Sequence, residues 1–195
     1  MPPTWTHVGR CWTNGEPFLA MDAGLLAHWR GMSDSAYEEL VPHLGYETTS
    51  VRVGPGSAGL ILTDPEVGDE GWLEVFRSPD GSVAIVQAGG PDHRGVVAAA
   101  LAHPTDGDQP GDPVEVPSGR LALISAALDG TGPDGASLSR ERPGPTPSSA
   151  AYDADVDDAG APLLEVGART LRLSVRWMVE LGGEAVFARW LLTAD

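Results

Sequence analysis

Between residues 171 and 179 every second side chain is large and apolar: Leu171, Leu173, Val175, Trp177 and Val179. Arg172, Ser174, Arg176 and Glu180 stand opposite them. A period of two over this length predicts a β-strand with one face in a core and the other in water. Gly182-Gly183 then offers a tight return, and 184–193 reads as the antiparallel partner. The chain therefore commits one end to a half-buried hairpin.

The same strand-and-turn grammar runs through the rest. Residues 17–22 form a short apolar run, 46–53 are rich in Thr and Val, and 59–63 follow a Gly/Pro turn. Residues 71–77 and 82–88 flank Ser78-Pro79-Asp80-Gly81, whose Pro-Asp-Gly is a strong turn signal. Residues 114–116, 120–128 and 170–179 also read as strands. Stretch 95–102 is divided, because three alanines favour helix while Val96, Val97 and the preceding glycines favour strand. Helix is clearer at 35–41, where Ser35 and Glu38 have capping-box spacing, Ala36, Tyr37, Leu40 and Val41 share a face, and Pro42 stops the run. Leu25, Leu26 and Trp29 suggest another turn of helix just before it. The expectation is a mainly β (α+β) fold of antiparallel sheets, sandwich-like, with one or two short helices. Its organisation reads as a β-rich N-terminal half, 1–104, and a β-rich C-terminal half, 114–195. A turn-rich linker over 103–113 separates them, and a Gly/Pro/Ser/Asp-rich loop spans 129–162. A length of 195 residues also admits one continuous domain.

Composition removes several functional classes. With 42% hydrophobic residues the chain is too apolar for a disordered protein. It has no lysine: all 12 basic residues are arginines, against 28 acids, for a formal charge of -16. That balance argues against nucleic acid and anionic membrane as partners, since both are held by clustered Lys and Arg. No run approaches the roughly 18 apolar residues of a membrane span. The start, Met1-Pro2-Pro3-Thr4-Trp5, lacks the pattern of a signal peptide, so a cytoplasmic location is expected. A single cysteine, Cys11, cannot cross-link its own chain.

Motifs of catalysis or ligation are weak throughout. Gly54-Pro55-Gly56-Ser57-Ala58-Gly59 matches a dinucleotide fingerprint, but strand residues and Pro65 follow where the fingerprint needs a helix. A glycine-rich connection between strands fits better. Asp153, Asp155, Asp157 and Asp158 imitate the start of a calcium loop, yet Asp158 and Leu164 occupy the positions that should be Gly and Glu. His7, His28, His43, His93 and His103 never fall at metal spacing. No cofactor, metal or catalytic residue is expected. Six tryptophans are many for this length, and Trp5 and Trp12 lie in a stretch that reads as turns.

The first hundred residues resemble the immunity protein 21 family of bacterial polymorphic toxin systems. The resemblance is carried by Trp12, by Gly15-Glu16-Pro17 before Phe18-Leu19-Ala20, and by Trp29-Arg30-Gly31. Asp34 and Tyr37 in the capped helix continue it, followed by Gly59-Leu60-Ile61-Leu62-Thr63-Asp64-Pro65. Glu16 departs from the pattern, which has glycine there, and Asp34 and Tyr37 are separated rather than adjacent. The resemblance implies a protein that binds and neutralises a cognate toxin, and needs no catalytic group to do it. A basic toxin would suit an acidic chain. The partner-binding candidates are then Asp34, Glu38 and Glu39 of the helix and Asp153, Asp155, Asp157 and Asp158 of the loop. Two alternatives stand beside this. One is a small-ligand or peptide-binding β module with Trp5, Trp12 and Trp29 lining a pocket. The other is an enzyme that uses Cys11.

Overall fold

The computed structural model describes residues 4–148, 151 and 160–194. Its strands form two six-stranded sheets. The first contains β1 (Thr6–Thr13), β5 (Gly71–Arg77), β6 (Val83–Gly89), β7 (Gln109–Glu115), β11 (Thr170–Gly182) and β12 (Ala185–Ala194), in the order β1-β5-β6-β12-β11-β7. The second contains β2 (Phe18–Asp22), β3 (Ser50–Val53), β4 (Gly56–Ile61), β8 (Arg120–Ser125), β9 (Leu138–Arg140) and β10 (Ala161–Glu165), ordered β3-β4-β2-β8-β10-β9. Neighbours are antiparallel apart from β9 and β10, which run parallel. Each sheet draws strands from both sides of the 104–113 stretch.

Side-chain alternation builds four layers. Leu73, Val75, Ile85 and Trp190 of the first sheet meet Phe18, Ile61, Leu121, Leu123 and Leu164 of the second in one core. The outer face of the second sheet (Leu19, Met21, Leu60, Ile124) is covered by Leu26 and Trp29, on and just after a 3-10 turn at Ala23–His28, and by Leu40 of α1 (Ala36–Leu40). The outer face of the first sheet (Phe76, Ala84, Val86, Phe187, Leu191) lies under Val96, Val97 and Ala100 of α2 (His93–Ala102). The fold is mainly β, with two sheets packed face to face and short helices outside them. No helix among the described residues is long and apolar enough to cross a membrane.

The expected hairpins form. In the β5–β6 turn Asp80 accepts hydrogen bonds from the Ser78 hydroxyl and, at 3.1 Å, the Ser82 amide. Gly81 there has φ +88°, and a Cβ on it would stand 2.1 Å from the Val166 carbonyl oxygen. The β11–β12 return uses Gly182 and Gly183 at φ +99° and +63°. The Gly54–Gly59 run is the β3–β4 connection and the start of β4.

Several local expectations are corrected, and one that the sequence left divided, 95–102, is decided. Val179 does not share the core face of Leu171, Leu173 and Val175. The β11–β12 register shifts between Arg176 and Val179, and Val179 packs on the outer cluster beneath α2. One extra residue in a strand reverses the face of everything beyond it. Residues 95–102 are helical, because Asp92 caps the stretch by accepting the Gly95 amide at 3.0 Å. The Ser35–Glu38 capping box is absent: the Ser35 hydroxyl donates to the Glu39 carboxylate instead of capping a backbone amide. The N-terminal residues are strand β1 rather than turns, and β7 begins at Gln109, inside the expected linker.

Candidate functional site

The acids expected to meet a partner fall into two sets. Asp34, Glu38 and Glu39 are all exposed, on α1 and the residues leading into it. Asp153, Asp155, Asp157 and Asp158 lie outside the described residues.

The mounting of the first set is built from backbone contacts that the sequence does not announce. Trp29 is 3% exposed, and its indole donates to the Ala126 carbonyl at 3.0 Å. Gly31 follows because a Cβ at this position would stand 2.2 Å from that same oxygen. Asp129, four residues beyond the end of β8, accepts the Met32 amide at 2.9 Å and the Ser33 amide at 3.0 Å, together with the Ser33 hydroxyl. The Ser33 hydroxyl first, then the two amides, hold the Asp129 carboxyl below its usual range. The segment that carries Asp34 is thus pinned to the sheet while its own side chains face water. Met32 and Val41, at 58% and 46% exposure, are large apolar residues flanking these acids. Exposed acids with exposed apolar side chains before and after them in the chain make a surface able to receive a basic protein face.

A second feature lies on the outer face of the first sheet. Glu74 is fully buried on β5 and accepts from His7 Nε2 at 2.8 Å, from His93 Nε2 at 2.8 Å and from Arg10 at 2.6 Å. Burial alone would raise this carboxyl, but the two histidine hydrogen bonds and the Arg10 charge outweigh it and bring it down to about 2. An ionised carboxylate only accepts, so both imidazoles donate through Nε2. His93 is the first residue of α2, so the cluster ties that helix to β1 and β5. The group is closed: Glu74, His7 and His93 are each below 9% exposure. A histidine–carboxylate pair with no access for a substrate is a fastening. At the other end of α2, Arg189 on β12 is 1% exposed and donates to the carbonyls of Ala100, His103 and Pro104, while pairing with Asp108.

The third feature is a cavity of about 580 Å³ beside β1, between the ends of the two sheets. Trp12 and Trp72 wall it edge-to-face at 5.0 Å, Phe18 and Cys11 contribute apolar surface, and Asn14 and Glu16 supply polar groups. Of the tryptophans expected in a pocket, Trp12 is here and Trp29 is in the core beneath α1. Trp5 packs against the cluster under α2. Cys11 is 6% exposed, and burial first, then the nearby Glu74 charge, pushes its thiol far up. Trp72 was legible only as an apolar strand residue. Its partnership with Trp12 depends on the β1–β5 register, which sets the two directly opposite. No group of three or more His, Cys, Asp or Glu able to hold a metal ion occurs among the described residues.

No family model, curated protein or solved structure matches the chain.

Proposed function

We propose that the protein binds and neutralises a bacterial toxin by covering a basic face of it. The observation that carries this is the exposed acidic segment of Asp34, Glu38 and Glu39, with exposed Met32 and Val41 on either side of it in the chain and Asp129 pinning the base. A partner meeting it gains both charge pairing with the acids and apolar contact with Met32 and Val41, the two kinds of contact a protein interface combines. The chain's -16 charge steers a basic partner from a distance, raising the association rate more than it deepens the bound state. The resemblance of the first hundred residues to a family of toxin-immunity proteins supports the same reading, and it is the reason a toxin is proposed as the partner.

The test is protection. The proposal expects a toxin gene beside this one; the two are expressed together, and survival of the host is compared with and without the protein. Rescue by the wild type that is lost in Asp34→Ser/Glu38→Gln/Glu39→Gln supports the proposal. No rescue, or rescue that the triple variant retains in full, refutes this surface as the site.

A further inference from the structure

We infer that a cleft between the β1–β2 turn and the Leu44–Tyr46 segment receives an arginine side chain of the protein that meets the α1 surface. The identity of that partner rests on the reading of the α1 surface; the preference of the cleft for a guanidinium group does not. The cleft has a volume of about 550 Å³, and Leu44, Tyr46, Leu62 and Pro65 give it mostly apolar walls. Its position continues the acidic segment. Leu44 ends a 3-10 turn at Val41–His43, its amide donating to the Val41 carbonyl at 3.2 Å. The cleft therefore opens one turn beyond the exposed Val41.

Each wall is braced before anything binds. The Tyr46 ring, 44% exposed, meets Trp177 edge-to-face at 4.6 Å. The Trp177 indole donates to the Gln109 side chain at 2.8 Å, and the Gln109 amide donates in turn to the Tyr46 carbonyl at 2.8 Å. In the β1–β2 turn Gly15 has φ +99°, and its amide donates to the Thr13 hydroxyl at 2.9 Å. The loop that brings Pro65 and Asp69 is tied to the buried Gln87, which accepts the Asp64 amide at 2.8 Å and donates to the Gly68 carbonyl at 2.9 Å. A preformed cleft spares a ligand the cost of ordering it.

Charge around the cleft has one sign. Asp69 is part of its lining, and Glu47 and Glu66 follow Tyr46 and Pro65 in the chain; all three acids are exposed. None of the described residues that line it is basic. Burial first, then the Asp64 and Glu66 charges, push the Tyr46 hydroxyl above its ordinary range, so negative potential reaches the aromatic wall. Apolar walls under an acidic rim complement arginine closely. Its methylene stem covers apolar surface, while its planar head stacks on an aromatic ring and pairs with carboxylates.

The probe is N-acetyl-argininamide, with N-acetyl-citrullinamide as its neutral isostere, titrated into the full chain and followed by NMR of the amide and tyrosine ring signals. The expected result is weak, saturable binding that moves the signals of Gly45, Tyr46 and Leu62, about threefold to tenfold tighter for the arginine probe. A net charge of -16 attracts any cation, so Glu66→Gln/Asp69→Asn is the control, and it should lose most of the preference. Tyr46→Ala should weaken both probes, with circular dichroism confirming the fold. Equal affinity for the two probes, a preference unchanged in Glu66→Gln/Asp69→Asn, shifts confined to residues away from the cleft, or no saturable binding would each overturn the cleft as a guanidinium site. In the protection assay Tyr46→Ala should also reduce rescue. Full rescue by Tyr46→Ala, beside its loss in the α1 triple variant, would overturn the cleft as the partner's anchor and leave the α1 surface in place. No rescue by the wild type would instead overturn the toxin as the partner.

Discussion

Replacing Glu74 by Gln isolates the contribution of one buried carboxylate. The change preserves size but presents an amide to His7, His93 and Arg10, all three of which donate toward Glu74. At least one donor then faces an N–H₂ group, and Arg10 loses the 2.6 Å carboxylate that balances its charge. Breaking a buried pair from one side costs about 3–5 kcal/mol. For a chain of this size that lowers Tm by roughly 6–20 °C. The pH dependence supplies an independent magnitude. Folding lowers the Glu74 carboxyl from 4.5 to about 2, so its stabilisation is fully present above the unfolded value and is lost as pH falls through about 2. At about 1.4 kcal/mol per unit, the shift corresponds to about 3 kcal/mol at neutral pH, in line with the cost of the substitution. The assay is urea unfolding at a series of pH values from neutral to below 3. Protein concentration must be low, because the isoelectric point of about 4.4 lies inside that window. Other carboxylates titrate in both proteins, so the quantity to read is the difference between wild type and Glu74→Gln. It should be near 3 kcal/mol at neutral pH and shrink as pH drops below 4.5. A difference under 1 kcal/mol, or one that stays constant to the acid end, would show that Glu74 is not held ionised by these partners.

Three further substitutions probe separate parts of the structure. Trp190 is fully buried and its indole N–H has no hydrogen-bond partner among the described residues, a liability of about 1–3 kcal/mol that Trp190→Phe removes while leaving a modest void. Its stability by denaturant unfolding should therefore stay within about 1 kcal/mol of wild type, whereas Trp190→Ala should lose about 3–5 kcal/mol. Gly81→Ala places a Cβ 2.1 Å from the Val166 carbonyl at a φ of +88°, so the β5–β6 turn must move. Differential scanning calorimetry should show a loss of at least about 1–3 kcal/mol, and an unchanged Tm would mean the turn tolerates an L-residue. Asp129→Ala releases the Met32 and Ser33 amides, which should exchange with deuterium far faster while the amides of β5 and β6 do not. Because the Asp129 carboxyl is held below its usual range, acidification should release the same amides in the wild type.

The sandwich was legible because its strands repeat with period two and end in turns whose chemistry is explicit, as at Pro79-Asp80-Gly81 and Gly182-Gly183. Legibility failed wherever a long-range partner decides the local outcome. Val179 continues the alternation in sequence, yet a register shift visible only in the β11–β12 pairing carries it to the other face. Strand β1 mixes His7, Gly9 and Arg10 into its run and reads as turn. Its polar residues are accommodated because Glu74 stands across the pair to receive Arg10 and His7. The exposed acids on and before α1 could be found from the helical pattern at 35–41, even though the capping box that drew attention to it does not form. The carboxylate that fixes their mounting, Asp129, is 95 residues beyond Asp34 and carries no local signal.

The charge balance itself changes meaning once the acids are placed. Asp22, Asp64, Glu74 and Asp129 are each at most 3% exposed, and each accepts hydrogen bonds that fix a turn, a helix end or a strand crossing. Asp22, for example, takes the Gly24 amide at 2.7 Å on one oxygen and the Ser118 amide at 2.7 Å on the other. These charges contribute to the formal -16 but present no surface to a partner. Neutralising any one of them should lower stability first and affect association only through the unfolded fraction. The exposed set behaves oppositely. Changing Asp34, Glu38 and Glu39 together to uncharged residues should leave stability within about 0.5 kcal/mol, since the surface positions carry no buried contact. The association rate with a basic partner should fall, and its dependence on salt should flatten, because screening at about 8 Å already limits what exposed charges do at physiological ionic strength. Stopped-flow association across a salt series distinguishes the two classes. If the triple variant kept both the rate and the salt slope of the wild type, the steering charge would have to reside elsewhere on the surface.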